Sequence, residues 1–297
     1  MKNFYLILPV FLLISDLCFA QASGNVAYND NNRRTSNKST GVLALSDSTF
    51  LVEANILLHI AAESYVAVFG VSQEGKSPQE CNTLIDKRIQ GFLGELPKFE
   101  ATDLYVDLTT QNKIYDYKLT GSTAEEILQG FELKKNVIFK FKNIQLLDKI
   151  LLTAANFQIY DLVKVDYMVG DVNKIYTRLF ASASEVINLK KDLYIQLTRA
   201  KLLPQAQIYS ETFQSFYPKD LYKRYKAYQS GNVETSDDNR NYIKKDIRKS
   251  DTFYYETLDF SGFDSVIGPV VTAPVIAFTL KIAVKYEIEK PARTNKK

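Results

Sequence analysis

The chain has 297 residues, with 37 Lys and Arg against 34 Asp and Glu, one histidine and a formal net charge of +3. A balance this even excludes the clustered basic field that a nucleic-acid partner requires, so none is expected. Apolar residues make up 46% and charged residues 24%, which supports a sizeable core in one large domain or two small ones.

Lys2, the apolar run from Phe4 to Ile14, and Cys18-Phe19-Ala20 read together as a signal peptide over residues 1–20, cleaved after Ala20. The run is too short to span a bilayer, which takes roughly 20 apolar residues, and nothing downstream is long enough. The mature chain is therefore expected to be exported without a transmembrane helix, to the periplasm, the cell envelope or the medium. Leu17 before Cys18 makes a poor lipoprotein site. Once Cys18 is removed, Cys81 is the only cysteine, and a buried thiol is expected in preference to a disulfide between chains.

Residues 21–53 are read as a flexible mature N-terminus. The alternation that follows, through Ile56, Leu58 and Ile60 and then Tyr65, Ala67, Phe69 and Val71, predicts two adjacent strands or one long bent strand. Ser77-Pro78 is a helix start, and Cys81, Leu84, Ile85, Ile89, Phe92, Leu93 and Leu96 form the buried stripe. Strands are predicted over 104–119 and 131–141, with a turn or one helical turn over 120–128. Asn143 caps a second helix with the stripe Ile144, Leu147, Ile150, Leu151 and Ala154. A strand over 160–169 leads to a long helix over 172–203, stopped by Pro204, whose inward face is Ile175, Leu179, Ala183, Val186, Leu193 and Leu197. A strand over 206–216, a mobile polar insertion over 218–251, a strictly alternating strand over 275–288 and a basic tail over 289–297 complete the chain. This order predicts an α+β fold, a mixed and largely antiparallel sheet with helices packed on one face and two β-α-β-β-like halves, as one domain over 54–288.

The segment from Glu63 to Ser77, a strand through Gly70-Val71 running into a turn and an amphipathic helix, resembles the opening of the SIMPL-domain family. The segment from Gly130 to Lys149, a strand entering a second helix through Leu146-Leu147-Asp148-Lys149, resembles that family's second strand and helix. The resemblance covers about residues 54 to 288 in order, although the third helix lacks the family's Ala-rich character. It implies an exported cell-envelope protein, ring-like or channel-like homo-oligomers, and no agreed enzymatic activity, so it carries over no catalytic residue.

The residues themselves offer little chemistry. His59 alone cannot build a multi-histidine metal site, no Gly-x-Ser-x-Gly elbow is present, and the 12 glycines never form a phosphate-cradling loop. Glu125-Glu126 and Asp237-Asp238 read as solvated neighbours, the latter without calcium-loop spacing. No catalytic residue, metal ligand or cofactor is expected, and the chain is not read as an enzyme. The basic-aromatic stretch from Tyr222 supplies the candidate partner-binding residues Tyr222, Arg224, Tyr225 and Tyr228. The leading expectation is a non-enzymatic, exported SIMPL-like protein that self-assembles, with a further envelope partner open. Its rivals are a ligand- or partner-binding module using loop 217–228, and an enzyme of unknown type.

Overall fold

A computed structural model describes residues 26–28, 41–46, 48–120, 123–227, 252–270 and 272–289. Residues 1–20, read from sequence as a signal peptide, Tyr228 and the rest of the 228–251 stretch, and residues 290–297 lie outside them.

In chain order the strands and helices are β1 (Val26–Tyr28), β2 (Val42–Ser46), β3 (Thr49–Ile60), β4 (Ser64–Gly75), α1 (Pro78–Glu95), β5 (Thr102–Thr120) and β6 (Thr123–Phe141). There follow α2 (Leu147–Ala155), β7 (Asp161–Met168), α3 (Val172–Thr198), β8 (Leu202–Phe216), α4 (Pro218–Leu221), β9 (Tyr222–Ala227), β10 (Thr252–Tyr255), β11 (Ser265–Ile267) and β12 (Ile276–Ile288). The chain is α+β, with largely antiparallel sheets. It divides into two compact units, one formed by Met1–Arg33 with Lys223–Tyr254, the other by Arg34–Tyr222 with Tyr255–Lys297. In the smaller unit β1 pairs antiparallel with β9, from Val26 opposite Ala227 to Tyr28 opposite Tyr225.

The larger unit holds two sheets. The first has the order β5-β6-β4-β7 with every pairing antiparallel. Its connectivity, β4-α1-β5-β6-α2-β7, is that of a split βαβ, ferredoxin-like sheet. Both helices lie on one face because the sequence gives that face its apolar residues. Tyr65, Ala67, Phe69 and Val71 from β4 and Leu133, Val137, Phe139 and Phe141 from β6 bury against Cys81, Ile85, Ile89 and Phe92 of α1 and Ile150 and Ala154 of α2. Helix α1 starts where expected. The Ser77 hydroxyl accepts from the Glu80 amide at 3.2 Å, and the Glu80 carboxylate accepts from the Lys76 amide at 2.8 Å, a reciprocal cap that satisfies two otherwise orphaned donors.

The second sheet runs β11-β3-β12-β8, with β2 also on β3. Helix α3 covers it, burying Ile175, Leu179, Ala183 and Ile187 against Phe50, Val52, Ala54, Ile56 and Leu58 of β3 and Ile276, Phe278, Leu280 and Ile282 of β12. As predicted, the alternating last strand lies between two antiparallel neighbours. The run from 49 to 75 is two strands, and each joins a different sheet. Ala62, in the link between them, packs against both cores.

Four expectations are corrected. The N-terminus read as flexible over 21–53 contains β1, β2 and the start of β3, where Phe50, Leu51 and Val52 are buried because β12 pairs with them. Residues 123–128, read as a turn or helical turn, continue β6, since each pairs across to β5. The third helix stops at Thr198, where Arg199 takes a left-handed conformation at φ 57° and caps Ile195, so Pro204 falls inside β8. Its inner row ends at Ile187, and Leu193 and Leu197 are exposed. Finally, the part of the insertion over 218–227 is ordered as α4 and β9.

Candidate functional site

Strand β6 pairs with β4 only as far as Phe131, opposite Gly75. From Gly130 back to Thr123 it pairs with β5 alone, through Ile114–Gly130, Tyr115–Leu128, Asp116–Ile127, Tyr117–Glu126, Lys118–Glu125, Leu119–Ala124 and Thr120–Thr123. At about 3.4 Å per residue this two-stranded ribbon extends roughly 25 Å beyond the sheet.

Directly opposed residues of an antiparallel pair share a face. One face of the ribbon therefore carries Tyr115, Tyr117, Leu119, Ala124 and Leu128 around Glu126, and the other carries Asp116, Lys118, Thr123 and Glu125 around Ile127. The apolar face is the outward continuation of the core face, because Gln111 and Lys113 of the same β5 row stand opposite Leu133 and Phe131, which belong to the core. The covering helix begins too late to reach it. The first turn of α1 sits over Phe131, where the Cys81 thiol donates to the carbonyl at 3.3 Å. Beyond that point Tyr117 is 64% and Leu119 76% exposed. The Tyr117 hydroxyl donates to the Glu126 carboxylate at 3.2 Å, and that bond raises the phenol pKa. A lone two-stranded ribbon is marginal in water, and this one leaves a row of large apolar side chains without a cover.

No family model and no curated protein matches this chain.

The sequence-predicted partner residues fall in both compact units. Tyr222 belongs to the larger unit and stands edge-on to Tyr255 at 5.8 Å. With Tyr65 and Tyr167, whose rings meet at 5.0 Å, they make a tyrosine cluster in which burial first, then Tyr222, Tyr65 and Tyr255, pushes the Tyr167 phenol up to about 12. Arg224 and Tyr225 are strand residues of β9 in the smaller unit, and Tyr228 lies outside the described residues.

The remaining polar groups of note are engaged in holding the chain. The Arg88 guanidinium donates to the carbonyls of Ser72 at 2.7 Å, Phe157 at 3.2 Å and Gln158, and to the Gln73 side chain at 2.8 Å. With Gly70, Tyr160 and Asp161 it lines a surface cleft. Among the described residues no group of three His, Cys, Asp or Glu is placed to hold a metal ion, and no helix is long and apolar enough to cross a membrane.

His59 is buried in β3, and its Nδ1 accepts from the Val270 amide at 3.1 Å, so the neutral ring carries its proton on Nε2. Burial lowers its pKa from 6.5. The unfolded chain therefore binds the extra proton more readily than the folded one. The stabilising contribution is complete above the ordinary value and is lost as pH falls below it. Urea unfolding between pH 7 and pH 5 is expected to show falling stability, with the His59→Gln chain less pH-dependent over the same range.

The first strand of the ribbon lies within the strand expected over 104–119, and its second strand, 123–130, was missed from sequence although its signal was present. Tyr115, Tyr117 and Leu119 alternate with Asp116 and Lys118, and Gly-Ser at 121–122 is a sequence signal for a hairpin. The acidic pair Glu125-Glu126 hid the second strand, because its two carboxylates point to opposite faces.

Proposed function

We propose that this chain is a non-enzymatic, exported, SIMPL-like protein that self-associates in the cell envelope. The observation that carries the reading is the ribbon of 114–120 and 123–130, whose apolar face extends the core face past the helix that covers it. Exposed apolar rows of this size on a projecting element mark protein contacts. Engagement of the Arg88 donors and of His59 Nδ1 by backbone carbonyls and amides supports a structural role for the groups best suited to chemistry. Light scattering coupled to size exclusion, on the chain from Gln21 onward, tests the reading. A discrete multiple of the monomer mass is expected, and a monomer at high concentration overturns it.

A further inference from the structure

Helix α3 carries its fully buried row along only the first part of its length. Its buried row runs Ile175, Leu179, Ala183 and Ile187, and the following turns stay in contact through Tyr194, stacked on Phe50 at 4.2 Å, and Lys190, which reaches Asp264 at 2.6 Å and the Glu53 carbonyl at 2.7 Å. On a different face of those turns Leu189, Leu193 and Leu197 recur every four residues, at 61%, 55% and 85% exposed. Spacing of i, i+4, i+8 makes them one stripe on the helix surface.

The larger unit thus displays two incomplete halves of the same kind of layer, a sheet face without a helix and a helix stripe without a sheet. We propose that they complete each other between copies, the leucine stripe of α3 in one copy lying on the apolar face of the β5–β6 ribbon of the next. The inference rests on the self-association reading and adds its surface. Charge supports the pairing. Glu126 is the charged residue of the ribbon's apolar face, at −1, with Asp116, Lys118 and Glu125 on the other face. Lys190 is taken up by Asp264, so residues 191–201 carry Lys191, Arg199 and Lys201 against Asp192, which is 3 − 1 = +2. Glu126, the one carboxylate on the apolar face, would then meet the basic end of α3. Leucines from the helix and Tyr-Leu pairs from the ribbon form the apolar centre of such a contact, with these charges at its rim. Because the two patches differ, the contact is head-to-tail, and repeating it closes a ring or extends a filament.

The experiment uses two variants of the chain from Gln21 onward, Leu119→Asp on the ribbon and Leu193→Asp on α3, each checked for an unchanged circular dichroism spectrum and unfolding temperature. Leu128→Ser and Leu197→Ser serve as the milder pair should an aspartate unfold its chain. Each variant alone is expected to be monomeric by light scattering. An equimolar mixture retains one intact contact, ribbon of the second variant against stripe of the first, and is expected to give a dimer of twice the monomer mass. If the wild type assembles while either variant keeps its mass, or if the mixture stays monomeric, the ribbon-to-stripe contact is wrong and self-association stands on another surface. A monomeric wild type overturns the self-association reading itself. A wild type that is monomeric in buffer but sediments with phosphatidylglycerol vesicles, and loses this in Leu119→Asp, overturns the proposal in favour of a lipid partner.

Discussion

Phe139→Ala is expected to cost about 3–5 kcal/mol of folding stability, the usual price of deleting a fully buried aromatic side chain and leaving its cavity. Phe139 is 0% exposed. Its ring stacks on Phe69 at 5.8 Å, meets Phe92 edge-on at 6.0 Å and contacts Phe141 at 6.1 Å. It sits opposite Ala67 on β4, and that small neighbour makes room for it and cannot fill the space it leaves. For a unit of this size each kcal/mol moves the midpoint by about 2–4 °C, so a fall on the order of 10 °C is expected. Thermal unfolding of the purified chain measures it. A loss below about 1 kcal/mol would mean that α1 does not close over β6 as described.

Asp264→Ala is expected to cost about 2–3 kcal/mol, through a different mechanism. Strand β3 is flanked on one edge by two short segments, β2 beside Thr49–Val52 and β11 beside Ile56–Leu58. Asn55 falls in the gap between them, where no regular ladder supplies its partners. Asp264 fills that gap. Its carboxylate accepts from the Asn55 amide at 2.9 Å, its own amide donates to the Asn55 carbonyl at 2.8 Å, and the Asn55 side chain donates to the Gly262 carbonyl at 2.8 Å. Lys190 reaches in from α3 to Asp264 at 2.6 Å and to the Glu53 carbonyl at 2.7 Å. Removing the carboxylate strands a largely buried ammonium, which costs more than the pair itself is worth. The side chains are 22% and 13% exposed, and that partial solvation keeps the expected cost below the fully buried range. Asp264→Asn keeps an acceptor for the Asn55 amide and is expected to lose less. Urea unfolding of the two variants separates the cases, and equal losses would assign the effect to charge alone.

Local signals in the sequence were reliable where one element made its own boundary. Ser77-Pro78 starts α1, Asp171 caps α3 by accepting from the Asn173 and Lys174 amides, and the strict alternation of 276–288 marks a central strand. The α+β class follows from that order. What the sequence did not carry was set by pairing at a distance. Phe50, Leu51 and Val52 look like the end of a polar leader until β12, more than 200 residues later, pairs with them. Leu193 and Leu197 continue the helical period of Ile175 and Leu179, and only the packing of Tyr194 and Lys190 onto distant partners determines that they face outward. The ribbon is the same case. Its alternation is visible in Tyr115, Tyr117 and Leu119, but their exposure depends on α1 beginning no earlier than Pro78. The expected partner residues Tyr222 and Arg224 stand two apart in a basic-aromatic run yet fall in different compact units.

The central claim is that the ribbon's apolar face is covered by another copy of the chain. The mass of the chain from Gln21 onward, followed by light scattering at rising concentration, tests it most directly. The account predicts a climb from monomer to a fixed multiple that then holds constant, with Leu119→Asp remaining at the monomer mass throughout. A monomer mass for the wild type at every concentration would contradict it.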